Sequence, residues 1–85
     1  MRRPLLFTGH ALVVLEERKL ERAWVERAVY APDWEQADPH APGVVRRFAA
    51  IAERDGRILR VAVVETDTET RILTAFLDRR ARKPQ

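Results

Sequence analysis

GVVRRFAAIAERDGRILRVAVVE, residues 43–65, carries the pattern from which the architecture of this chain is read. Val44 to Ala52 and Arg57 to Glu65 are two runs rich in β-branched and apolar residues, and the strands are placed there. Between them, Glu53-Arg54-Asp55-Gly56 contains an Asp-Gly pair, the residue types that accept positive φ in a hairpin turn. Ile58-Leu59 and Val61-Ala62-Val63-Val64 are nearly continuous apolar runs, which marks the second strand as central. A third strand is expected from Arg71 to Leu77, entered through the polar turn Thr66-Asp67-Thr68-Glu69-Thr70. Alternation puts Arg46 and Arg47 on opposite faces of the first strand.

Upstream of Gly43 the periodicity changes. Residues 32–43 hold Pro32, Pro39 and Pro42 with Asp33, Asp38 and His40, and read as a loop with a short strand around Trp34 to Ala37. Before the loop, apolar residues recur at helical spacing. Helix one runs from Gly9 to Lys19, with Thr8 as its N-cap and Ala11, Val14, Leu15 and Arg18 sharing one face. Helix two runs from Glu21 to Ala31 with the stripe Trp24, Val25, Ala28, Val29, and Pro32 ends it. Leu5 to Phe7 form a short strand or extended entry. The expected fold is α+β: an N-terminal helix hairpin, residues 9–31, on one face of a three- to four-stranded antiparallel sheet, residues 44–77. The basic tail, residues 78–85, is expected to fray. Leu15, Val25, Val29, Val61, Val63 and Phe76 are the expected core.

At 85 residues the chain has room for one core, so residues 1–85 are expected to form one domain. The apolar share of 46% argues against disorder, and no apolar run reaches membrane-spanning length, so no membrane partner is expected. The opening Met1-Arg2-Arg3-Pro4-Leu5-Leu6-Phe7 imitates a signal peptide. Gly9-His10 breaks its apolar stretch, so it reads as mature sequence and the expected location is the cytoplasm. Cysteine and serine are both absent, which removes disulfides, thiolate metal sites and the usual hydroxyl and thiol nucleophiles. Gly9, Gly43 and Gly56 stand apart, so no glycine-rich phosphate loop is present, and His10 and His40 lack metal-ligand spacing. No cofactor and no metal is expected. The net charge of +3 comes almost wholly from arginine, with Lys19 and Lys83 the two lysines. Arginine forks suit phosphates, although a GC-rich genome gives the same bias.

His10-Ala11, Leu15, Glu17-Arg18, Leu20, Val25 and Pro32-Asp33 resemble the opening of a bacterial domain-of-unknown-function family, DUF 4258. Arg46-Arg47-Phe48 and Arg60-Val61 through Leu73-Thr74 resemble that family's strand region. Two positions depart from it: Lys19 stands where the family has Gly, and Glu21 where it has a capping Ser. The family looks distantly similar to the BrnT and RelE/ParE toxins, many of which cleave RNA. That resemblance implies a toxin-like RNA-binding or RNA-cleaving function, with an antitoxin-like protein as partner.

The candidate catalytic residues are His10, as a proton-transfer group, and Arg18, as a phosphate or transition-state ligand. Each also has a structural role available: His10 holding the start of helix one, Arg18 tied to a carboxylate such as Glu21 or to strand carbonyls. Arg46, Arg47, Arg60, Arg79 and Arg80 are the candidate nucleic-acid-binding residues, with Tyr30, Trp34, Phe48 and Phe76 as aromatics for stacking. If the domain is an enzyme, metal-independent cleavage of RNA through its 2′-hydroxyl fits these groups. The alternative is a non-catalytic protein-interaction module, including a homodimer.

Overall fold

The computed structural model describes residues 2–84; Met1 and Gln85, the two ends of the expected single domain, lie outside the described residues. The hairpin forms as its sequence requires. Strand β3, Val45–Ile51, leads through a single 3-10 turn, Ala52–Arg54, into β4, Arg57–Glu65. Asp55 and Gly56 take φ of +58° and +75°, the left-handed angles that an Asp-Gly pair accepts. β4 then pairs with β5, Thr70–Leu77, again antiparallel.

Two short strands complete the sheet. β1, Leu5–Phe7, lies beside β5, and β2, Trp34–Ala37, lies beside β3, giving the order β1-β5-β4-β3-β2. The sheet therefore has five strands, not three or four. It is also mixed, because β1 runs parallel to β5 with Leu5 opposite Thr70 and Phe7 opposite Ile72. A parallel neighbour needs a long connection, and here everything from the first helix to β4 supplies it. The wholly antiparallel sheet expected from the sequence is corrected accordingly.

Helix α1, Gly9–Glu17, starts where β1 stops. Thr8 caps it, accepting the Ala11 N–H at 3.1 Å. The Thr8 backbone N–H bonds to the Ile72 carbonyl at 3.2 Å, and its hydroxyl reaches the Leu73 carbonyl at 3.4 Å. At the other end of α1, Arg18 Nη1 donates to the Ala75 carbonyl at 2.8 Å. The helix thus runs along the edge of β5 that three-residue β1 leaves uncovered. Helix α2, Arg22–Tyr30, packs instead across β3 and β4, burying Trp24, Val25, Ala28 and Val29. Both helices meet the core built on Ile51, Leu59, Val61, Val63, Ile72 and Ala75, all essentially without solvent contact.

Five of the six expected core residues are buried; Phe76 is not among them. The cause is an irregularity in β5. Ala62 faces Thr74 while the next residue, Val63, faces Ile72, so Leu73 is an extra residue on that strand. Simple alternation from Ile72 would aim Phe76 at the helices. The bulge shifts the phase by one, so Ala75 points to the helices and Phe76 to the opposite face.

Candidate functional site

The face of the sheet turned away from the helices carries Arg46, Phe48, Arg60 and Phe76, side by side on three strands. Phe48 lies opposite Arg60, and Arg60 opposite Phe76. Trp34, opposite Phe48 on β2, stacks on it with ring centroids 4.6 Å apart. The Arg60 guanidinium sits 4.3 Å from the Phe76 centroid, and that of Arg18 approaches the same ring at 5.8 Å. Of the aromatics expected to stack on bases, Trp34 and Phe48 hold each other and Phe76 is covered by arginine. Tyr30 lies under Arg2 and donates its hydroxyl to the Arg3 carbonyl at 2.7 Å.

Two aspartates organise this face. Arg46 Nε donates to Asp38 at 3.2 Å, and Arg60 Nη1 to Asp78 at 3.2 Å. The Asp38 carboxyl is held below its ordinary pKa, first by the backbone N–H of His40 and then by Arg46, against the opposing effect of burial. Burial lowers the pKa of Arg60, Arg46 pushes the same way, and Asp78 and Asp38 oppose both. Two like charges are thus kept close on one face by a carboxylate beside each.

Asp78 also turns the tail back on the sheet. Its N–H bonds to the Ile58 carbonyl at 2.8 Å, its carbonyl accepts from Ala81 at 3.3 Å, and its carboxylate caps the Arg80 N–H at 2.9 Å. The tail expected to fray is therefore anchored at its root. Its arginines line two of three shallow grooves that run into one another. The first, about 350 Å³, lies on the open face between Arg46, Arg60, Arg80 and Arg82. The second, also about 350 Å³, lies between the tail and the β3–β4 turn and shares Asp78, Ala81 and Arg82 with the first. The third, about 510 Å³, shares Arg57 with the second and is lined by Arg18, Leu20, Arg54, Phe76 and Leu77.

Together the grooves form a belt of eight arginines: Arg18, Arg46, Arg54, Arg57, Arg60, Arg79, Arg80 and Arg82. Against them stand Asp38, Asp55 and Asp78, a local excess of five positive charges. The full chain has 16 basic and 13 acidic residues, so the remainder is net negative.

Pairing differs sharply between the two regions. Outside the belt, Arg3, Arg27, Arg47 and Arg71 are ion-paired with glutamates, while Arg2 and Arg22 lie over Tyr30 and Phe7. Within it, among the described residues, Arg18, Arg54, Arg57, Arg79, Arg80 and Arg82 have no carboxylate partner; Arg18 and Arg54 lie near the Phe76 and Trp24 rings, and the other four have no aromatic partner either. Glu53, next to Arg54 in the chain, is taken by Arg27, and its own backbone N–H and then this pairing keep its carboxyl below the ordinary value.

The expected site residues divide accordingly. Arg46, Arg60, Arg79 and Arg80 share the belt with Arg18. Arg47 does not: it lies on the helix side, bound to Glu35 at 2.9 Å, to Glu65, and to the Val29 carbonyl at 3.3 Å. Its charge is used inside the fold, away from the belt that holds the other four expected arginines. Arg18 is tied to a strand carbonyl, one of the two roles open to it. His10 and Arg18 are not brought together. His10 is exposed in the first turn of α1 and Arg18 follows the last, about 12 Å apart along the axis. Arg54, Arg57 and Arg82 went unread in the sequence. In the sequence Arg54 reads as part of the turn and Arg57 as the start of the second strand, although the two bracket the same Asp-Gly pair at the sheet's end.

Among the described residues no cluster has the makings of a metal site, and no helix is long and apolar enough to cross a membrane. One family model matches the chain, over residues 7–77, described as a domain of unknown function (DUF4258). No curated protein and no solved structure matches it.

Proposed function

We propose, for a chain that belongs to the DUF4258 family of domains of unknown function, that it binds RNA through the phosphates. The observation that carries this reading is the contrast in arginine pairing among the described residues: every arginine outside the belt has an acidic or aromatic partner, while Arg57, Arg79, Arg80 and Arg82 inside it have neither. Unpaired guanidinium groups on a locally positive surface attract a polyanion and release its counterions. The belt bends around the end of the sheet through three shallow grooves. A flexible single strand follows such a path, whereas a straight duplex touches part of it. Since the aromatics are already engaged, contacts fall on the backbone and little sequence preference results.

The test is fluorescence anisotropy with a 12-nucleotide single-stranded RNA, a DNA duplex as comparison and a chelator present throughout. Engaging about four phosphates gives a slope of log affinity against log salt of about −3 on a single strand. The double variant Arg79→Ala/Arg80→Ala flattens that slope by about one or more. Affinity no greater than that of an unrelated protein of equal charge overturns the proposal. His10 stands away from the belt, so the RNA is expected to be recovered intact. Cleavage lost in His10→Ala would restore the metal-independent endoribonuclease implied by the toxin resemblance. The protein-interaction reading draws on a different observation, the exposure of Leu6, Leu12 and Val13 at 48%, 52% and 52%. A second copy or an antitoxin-like partner is the occupant to seek there if RNA binding fails.

A further inference from the structure

The third groove differs from the other two in ways that point to a particular ligand. Arg18, Arg54 and Arg57 converge on it, and its floor is apolar, made by Leu20, Phe76 and Leu77. Its volume of about 510 Å³ lies within the range of small-ligand sites, about 300–1,000 Å³. Arg18 is held in place by its bond to the Ala75 carbonyl, which limits the ordering that binding requires. The Arg54 guanidinium is steadied over the Trp24 ring at 5.7 Å. Glu53, beside Arg54 in the chain, is bound by Arg27 on the α2 side, and Asp55, between Arg54 and Arg57, lines the second groove and not this one.

The groove is also where the belt stops. Around Arg18 the exposed carboxylates of Glu16, Glu17 and Glu21 outnumber the exposed cations Lys19 and Arg22, so the surface on that side turns net negative and disfavours a further phosphate. A strand lying along the belt therefore has its end here. A terminal phosphate monoester approaches two negative charges at neutral pH, against one for each internal diester, and three guanidinium forks suit the higher charge.

We propose that this groove binds the terminal phosphate monoester of an RNA strand, with Arg18, Arg54 and Arg57 on the phosphate and the aliphatic side chains of Leu20 and Leu77 under the last sugar. The inference rests on the RNA-binding reading above. It also places the end site within the residues that match the family model, unlike the tail arginines, which lie beyond Leu77.

The experiment uses one internally labelled 12-nucleotide RNA in three forms: 5′-phosphorylated, 3′-phosphorylated and with both ends free. One phosphorylated form is expected to bind roughly fivefold tighter than the free-ended form, and which one it is identifies the end. Arg54→Ala/Arg57→Ala removes that preference while leaving a measurable affinity for all three. Its melting curve, set beside the wild type's, shows that the fold is retained. Arg18→Lys keeps the charge, loses the fork and weakens the preference. Equal affinity for the three RNAs, with binding intact, overturns end recognition and leaves the RNA reading standing. Failure to bind any of them above the charge-matched control overturns both.

Discussion

Arg46 and Arg47 are neighbours with opposite uses, and the pleat alone separates them. Arg46 faces the open side with Arg60, and Arg47 passes to the helix side, where its side chain is 13% exposed. There it joins Glu35 on β2, Glu65 on β4 and the last turn of α2 through Val29. Removing Arg47 leaves Glu35 and the Val29 carbonyl without this partner, while Glu65 keeps Arg3, a loss of about 1–3 kcal/mol. Arg47→Ala is therefore expected to lower urea stability by that amount and leave the salt dependence of RNA binding unchanged. A variant of wild-type stability with a flattened salt slope would move Arg47 back among the phosphate contacts.

Among the elements, the end of α1 shows how a departure from the family pattern is absorbed. The Leu20 N–H bonds to the Leu15 carbonyl at 2.9 Å and the Lys19 N–H to the Glu16 carbonyl at 3.3 Å, the paired closure of a Schellman motif. Leu20 and Leu15 meet in the core below it. The motif requires a left-handed residue after the cap, and Lys19 adopts it at φ +54°. A non-glycine residue there carries about 1–2 kcal/mol of strain, partly offset by the larger entropy glycine loses on folding. Lys19→Gly is expected to gain about 0.5–1 kcal/mol and to raise the melting temperature by several degrees in calorimetry. An unchanged or lower melting temperature would mean that the Lys19 side chain compensates its own backbone. Glu21, the N-cap of α2, makes no side-chain capping bond, as its replacement of the family's serine implied.

Taken together, the chain divides its labour between a neutralised helix side and an unneutralised belt, and one small core holds both. Folded domains of this length are stable by roughly 4–13 kcal/mol. Leu59 sits on central β4 with no solvent contact. Leu59→Ala is expected to cost about 2–5 kcal/mol in a urea titration, a large part of that total, with an unchanged slope if unfolding stays two-state. A loss under 1 kcal/mol would show that the core around β4 can collapse onto the gap. Because the belt spans the end of α1, β3, the β3–β4 turn, β4 and the tail, loss of this core should disperse the arginines and, on the proposed function, lower RNA affinity alongside the far-ultraviolet signal.

The local elements were legible in the chain because local rules govern them. Thr8 and Pro32 bound the helices, Asp55-Gly56 turns the hairpin, and the helical stripe of Trp24, Val25, Ala28 and Val29 is buried as read. The short strand at Trp34–Ala37 was also visible between its prolines. What packing alone settled lies at long range. The parallel pairing of β1 with β5 joins residues 65 apart in sequence, and no periodicity in a three-residue strand announces a partner that distant. The extra residue at Leu73 is invisible in composition, yet it reverses the faces of Ala75 and Phe76. The candidate site depends on both kinds of event. Its arginines could be counted from the sequence, but which of them stay unpaired depends on which carboxylates folding brings within reach. That is a property of distances between strands and turns, and the order of residues does not contain it.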